Sequence, residues 1–290
     1  MSPLHRACPA GTRRPPSTPP DTVVYAIGDI HGSSALLRQI LGDIRIDSRE
    51  RAARRRVLVL LGDYVSRGAD SRAVVELALD PGLPGFEVVA LKGNNEDLLL
   101  RFLDGQLSVG AHWLDYGGAE TMQHYGLRVV SPRSRDPAEL EALRWRSESL
   151  PDYGVSTAAV QGVDRTVLED LRQRFAASLP PRHRDFFRSL RVAHREGDYY
   201  FVHAGIRPGV PLEEQTDADC MWIRQSFLES DADHGVVVVH GHSITRAPEV
   251  RHNRIGIDTG AYRSGVLTCL ALQRTERKFL HAGDITRPGG

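Results

Sequence analysis

The chain has 290 residues, 41% apolar and 26% charged, and its 37 basic and 37 acidic side chains cancel. That length allows one or two domains of ~150 residues with a large core. The charge balance excludes whole-chain attraction to nucleic acid or to an anionic membrane, and no stretch approaches the ~20 apolar residues of a spanning helix. Cys8, Cys220 and Cys269 are too scattered for a disulfide framework or a thiolate zinc motif, so a reducing, cytoplasmic setting is expected. All but two of the basic residues are arginine, Lys92 and Lys278 being the exceptions. This bias suits a GC-rich, bacterial genome and supplies many bidentate phosphate-binding forks.

Residues 1–20 carry six prolines and three arginines but no signal-peptide core, and are expected as a disordered tail before a domain spanning 21–290. A strand is predicted over 22–27, then the loop Gly28-Asp29-Ile30-His31-Gly32. A helix follows over 33–44, with Ser33 or Ser34 as its cap. The arginine-rich 49–56 reads as a solvated surface turn. Val57–Leu61 is five apolar residues in a row, a strand buried on both faces. It delivers Gly62-Asp63 and then Arg67-Gly68 at its C-terminal end, where open α/β sheets bind ligands. A helix over 70–79 and a strand over 86–91 lead to Lys92-Gly93-Asn94-Asn95-Glu96 and a helix over 95–103.

From 104 to about 190 the strand–acid pattern stops, and the stretch reads as a helical insertion packed over one side of the site. Helices are predicted over 182–190, at its end, and over 219–228, the latter holding Trp222 and Arg224. Strands over 199–202, 236–239 and 255–257 end at His203-Ala204-Gly205, His240-Gly241-His242 and Asp258-Thr259-Gly260. A closing strand is placed over 266–272.

Asp29, His31, Asp63, Asn94, His203 and His242 thus each stand just past a strand. Such mixed oxygen and imidazole donors, without thiolate, suit a divalent Mn, Fe or Zn ion. A carboxylate shared between two ions ~3.5–4 Å apart would give a metal-bound hydroxide near neutral pH, with Arg67 holding phosphoryl oxygens.

These residues carry a resemblance. Gly-Asp-Ile-His-Gly, Gly-Asp-Tyr-Val-Ser-Arg-Gly, Gly-Asn-Asn-Glu, His-Ala-Gly and Gly-His resemble the successive signatures of the calcineurin-like metallophosphoesterases, and more narrowly the PPP-type phosphatases. Asp29 to Asp63 spans 34 residues and Asp63 to Asn94 spans 31, one β-α-β unit each. The later motifs resemble the bacterial serine/threonine branch and its Rhizobiales-like group. The resemblance implies a four-layer α/β/β/α sandwich with two metal ions, most simply Mn. One ion would be held by Asp29, His31 and bridging Asp63, the other by Asp63, Asn94, His203 and His242. Arg67 and Arg224 would grip phosphate, with Tyr262 nearby. Of the His-Gly-His pair only one histidine need ligate, and the family spacing favours His242 over His240.

Two positions depart from the family. Where it has a proton-donating histidine this chain has Asn95, and where it has the aspartate orienting that histidine, Ser66. An amide supplies no proton, so a general-acid contribution of ~10²–10⁴-fold is at stake. An inactivating change, a donor from elsewhere such as the insertion, and a substrate whose leaving group needs little help all stay open. The last favours aryl phosphates, since a phenol leaves at a pKa of ~10 and an alkyl alcohol nearer the ~15.7 of water. The expected function is phosphomonoester hydrolysis, with a phosphoprotein or a small phosphoester as substrate. The alternatives are a dinucleoside polyphosphate hydrolase and a silent phosphoprotein binder. The lone Asp258-Thr259-Gly260 lacks the second copy an aspartic protease needs and reads as a turn beside the metal pocket. No Gly-x-x-x-x-Gly-Lys motif is present, and Ser66 has no evident base.

Overall fold

The structure, a computed structural model, describes residues 14–129 and 165–284. Among the described residues, ten strands form two five-stranded mixed sheets stacked face to face. The first sheet is built on β1 (Thr22–Ile27), β2 (Arg55–Leu60) and β3 (Phe86–Ala90), which run parallel, with β9 (Leu267–Gln273) and β10 (Glu276–Ala282) added antiparallel beyond β1. The second has parallel β5 (Tyr199–Val202), β6 (Val237–His240) and β8 (Arg254–Gly256). Its antiparallel edges are β4 (Ala193–Glu196) and β7 (Glu249–Val250).

An unbroken apolar run suits a strand covered on both faces, because alternate side chains enter different cores. Val24, Ala26, Val57 and Val59 meet Phe201, Val239, Ile255 and Ile257 between the sheets. Val23, Tyr25, Ile27, Leu58 and Leu60 instead face helices. Those helices are α1 (Ser34–Glu50), α2 (Ser71–Leu79), α3 (Asn94–Leu103), α4 (Leu107–Trp113), α5 (Ala119–His124), α6 (Arg165–Ser178) and α7 (Pro181–Ser189). On the far side of the second sheet, α8 (Asp217–Trp222) and α9 (Gln225–Leu228) bring Cys220, Met221 and Phe227 under cover, Cys220 and Phe227 against Val202 and Val238. The layers are therefore α/β/β/α, as expected.

Several boundaries differ from the sequence reading. Helix α1 runs six residues beyond 44, because Asp47 and Ser48, polar in sequence, are buried there. Asp47 accepts from Tyr25, Arg51 and Lys278 at 2.7, 2.5 and 2.6 Å. The arginine-rich 49–56 is consequently the end of α1 and the start of β2 with a short turn between. Ser33 stands at the N-cap of α1 but makes no capping hydrogen bond. The helix expected over 219–228 is two, because extended backbone at Ile223 (ψ 144°) interrupts it and Arg224 leaves the helical path. Strands β4, β7 and β10 were not predicted, and β10 rather than β9 closes the first sheet. Of the tail expected over 1–20, residues 14–20 are pinned: Thr18 is buried, donates to Arg274 O and accepts from Arg274 N, while Ser17 O accepts from Asp198 N. The central part of the 104–190 insertion, residues 130–164, lies outside the described residues.

Candidate metal centre

Five parallel strand ends converge. Asp29 follows β1, Asp63 follows β2, Asn94 follows β3, His203 follows β5 and His242 follows β6, all of them buried. Asp29, His31 and Asp63 each offer a ligand atom within 4.8 Å of the others. His203 Nε2 lies 2.9 Å from Asn94 Oδ1 and 3.6 Å from Asp63 Oδ1, and the rings of His203 and His242 stand 5.0 Å apart. His31, Asp63 and His242 hold φ of 43°, 52° and 61°. Left-handed backbone at non-glycine residues is costly and gathers at functional sites. Close approach fixes the glycines: a Cβ at Gly93 would sit 2.2 Å from Asp63 Oδ1, and one at Gly241 2.0 Å from Asp29 Oδ1.

The hydrogen bonds set the tautomers. His31 Nδ1 is 2.9 Å from Val65 O and His203 Nδ1 2.9 Å from Leu61 O. A carbonyl only accepts, so both Nδ1 atoms carry the proton and both Nε2 atoms present lone pairs. The Nε2 of His31 then faces Asp63 Oδ2 at 3.3 Å, and that of His203 faces Asn94 Oδ1 at 2.9 Å, with no hydrogen between either pair. His242 Nε2 is buried without a hydrogen-bond partner. Burial lowers the pKa of His31 to about 4, and those of His203 and His242 also fall. The rings are therefore neutral at neutral pH, the form that ligates a cation. Lone pairs converging without protons fit a site for cations.

The carboxylates differ among themselves. Burial alone would raise Asp63, but His203, His31 and the Asn95 N–H outweigh it and hold the carboxyl at about 2. Asp29 is raised well above the usual range by burial and by Asp258 and Asp63. Burial also pushes Asp258 up, to about 6. Asp258 thus sits beside the centre as a buried carboxylate, in a turn where it accepts from Gly260 N at 2.9 Å. Sequence reasoning saw that turn and assigned the acid no part in the site.

Arg67 Nη1 lies 3.4 Å from His31 Nε2 and 3.4 Å from Tyr262 Oη, and its guanidinium stands 5.2 Å from the Tyr262 ring centroid. Arg224 donates to His242 O at 3.5 Å, so both arginines and Tyr262 reach the centre. His240 instead packs its ring against Phe227 on the outer side of the second sheet. At the departures from the family, Asn95 donates from Nδ2 to Asp63 Oδ2, and Ser66 is fully buried. Glu96, also overlooked, accepts from the backbone N–H of Asp63, Tyr64, Val65 and Gly93. Its place three residues after the Gly93 cap is the sequence signal that could have found it.

The comparisons agree with this geometry. Residues 22–263 match the family model for calcineurin-like phosphoesterases. A solved structure assigned as a diadenosine tetraphosphatase is similar at 18% identity with a TM-score of 0.52, covering 90% of this chain and 94% of its own. A cold-active protein tyrosine phosphatase is similar at 16% identity with a TM-score of 0.50, covering 91% of this chain and 81% of its own. No curated protein matches the sequence. At such identities the structural likeness speaks for the fold, and the family model spans most of the chain. The chain belongs to the calcineurin-like phosphoesterase family, whose members work through a dinuclear metal site.

Proposed function

We propose that the protein is a metal-dependent phosphomonoesterase acting on phosphorylated protein, with a preference for aryl esters such as phosphotyrosine. The observation that carries this reading is the set of unprotonated lone pairs facing one another, Asp63 with His31 and Asn94 with His203. Asp29, His31 and Asp63 would hold one ion, and Asp63, Asn94, His203 and His242 a second, Mn being the simplest choice for such donors. Bound there, the ions would supply a nucleophile from water at neutral pH and neutralise negative charge on the phosphoryl oxygens. Arg67 and Arg224 bind the phosphoryl oxygens through charge-assisted hydrogen bonds. Tyr262 backs the Arg67 guanidinium. Asn95 orients Asp63 and gives the leaving oxygen no proton, which favours a phenolate leaving group.

The similarity to a protein tyrosine phosphatase is in keeping with this preference. A second reading, hydrolysis of a dinucleoside polyphosphate, is favoured by the similarity to a diadenosine tetraphosphatase and by the same chemistry, since a phosphoanhydride also leaves without an acid. The 104–190 segment is read as part of the same domain: its described helices share the core of the first sheet. The cysteines suit a cytoplasmic setting, and among the described residues no helix is long and apolar enough to cross a membrane.

Hydrolysis of p-nitrophenyl phosphate by Mn-loaded and chelator-treated protein tests the reading. Metal-dependent turnover is expected, with phosphotyrosine peptides cleaved at higher kcat/KM than phosphoserine peptides. Equal values would sink the aryl preference, faster cleavage of diadenosine tetraphosphate would favour the second reading, and phosphopeptide binding without turnover would mark a silent binder.

A further inference from the structure

We propose that Trp113 and Thr121, on the helical segment after α3, are positioning residues that hold Arg67 in place through Ser66. The inference rests on the reading of Arg67 as a phosphate ligand. Ser66 and Arg67 are consecutive non-glycine residues with φ of 76° and 69°. Such backbone persists only where its surroundings over-determine it. On one side the restraint is Glu96, which accepts from Asp63, Tyr64 and Val65 and stops short of Ser66.

The rest comes from the helical segment. Trp113 Nε1 donates to Ser66 Oγ at 3.1 Å, and the Ser66 N–H donates to Thr121 Oγ1 at 2.9 Å. The Thr121 hydroxyl in turn donates to Gly117 O at 3.1 Å. Gly117, at φ 107°, closes over the same backbone: a Cβ there would stand 2.5 Å from Arg67 N and 2.8 Å from Ser66 Cβ. Trp113 is itself fully buried, its ring set against Phe102 and Phe175 at 6.4 and 5.7 Å. A chain of fixed groups thus runs from the core of the helical segment to the backbone that aims Arg67. Ser66 is short enough to leave room for this link, and its hydroxyl supplies the acceptor Trp113 requires when buried.

The test uses Trp113→Phe, which keeps an aromatic ring in the core and removes the donor, and Ser66→Ala, which removes the acceptor. Binding of inorganic phosphate to Mn-loaded protein is measured by calorimetry, beside kcat and KM for p-nitrophenyl phosphate and the Mn content. Each variant should weaken phosphate binding about five- to tenfold, the scale of a lost buried hydrogen bond. KM should rise by a similar factor, with kcat within about twofold and Mn content unchanged. The double variant should be no weaker than the singles, since all remove one link. Active wild type with phosphate binding unchanged in both variants, even where the melting temperature falls, overturns the inference alone. Weakened phosphate binding in variants of a protein that binds phosphate without turnover supports the inference and overturns the enzymatic reading. Wild type that neither turns over nor binds phosphate overturns both.

Discussion

Asn95 grips both oxygens of Asp63: its side-chain amide donates to Oδ2 at 2.7 Å and its backbone N–H to Oδ1 at 3.0 Å. The residue standing where the family has a proton donor therefore acts on the proposed bridging carboxylate. Asn95→His should raise turnover of phosphoserine peptides more than that of p-nitrophenyl phosphate, because only the alkoxide needs the proton. The gain should lie at the lower end of the ~10²–10⁴-fold range for acid catalysis, as Ser66 offers no carboxylate to orient the ring. A gain equal for both substrates, or none, would refute the leaving-group account.

Arg67 reaches the centre without contributing a lone pair to it. Arg67→Ala should leave metal content intact and raise KM ~10–100-fold, corresponding to charge-assisted hydrogen bonds of ~1.5–3 kcal/mol. Steady-state kinetics beside metal analysis checks this. Loss of metal would make Arg67 structural, and unchanged kinetics would remove it from the site.

Asp29 and Asp258 are both raised, Asp258 to about 6, by burial and neighbouring carboxylates. Near pH 6 the metal-free pair retains a proton, which an arriving cation displaces. Apparent Mn affinity should therefore increase as pH rises through about 6, and calorimetry in buffers of different ionisation enthalpy should detect proton release. Asp258→Asn should reduce that release, and an unchanged proton count would clear Asp258 of the role.

Asp47 bears on stability rather than chemistry. Burial would raise its carboxyl, but Arg51, Lys278 and Tyr25 outweigh it and hold the pKa at about 2. A depressed carboxyl stabilises the fold above its unfolded value of ~3.9 and loses that contribution as pH falls toward 2, here on the order of 2 kcal/mol. Urea midpoints of Asp47→Asn and wild type should differ clearly at pH 7 and converge near pH 2. A constant difference would contradict this.

The site was legible because its chemistry follows strand ends. The apolar runs before Asp29, Asp63 and His203 mark strands, and a polar residue just past each is conspicuous. Long-range partners were not legible. Trp113 has no partner that the sequence shows, and only the fold sets its indole N–H against Ser66. The Asp258 turn was read as flanking the pocket, but nothing in the sequence set its carboxylate against Asp29. Strand β4, Ala-His-Arg-Glu, has no apolar alternation, since it is an edge strand whose Glu196 is buried to meet Arg55 at 2.7 Å. The end of α1 was misread for the same reason: two of the partners that bury Asp47, Tyr25 and Lys278, are distant in sequence.

The account turns on two ions sharing Asp63. Metal analysis of wild type and Asp63→Asn after loading with Mn and removal of excess, read beside p-nitrophenyl phosphate turnover, tests it most directly. Two ions per wild-type chain, falling to one or none with activity lost in the variant, is the predicted result. A variant that keeps both ions, or a wild type that binds fewer than two, would contradict it.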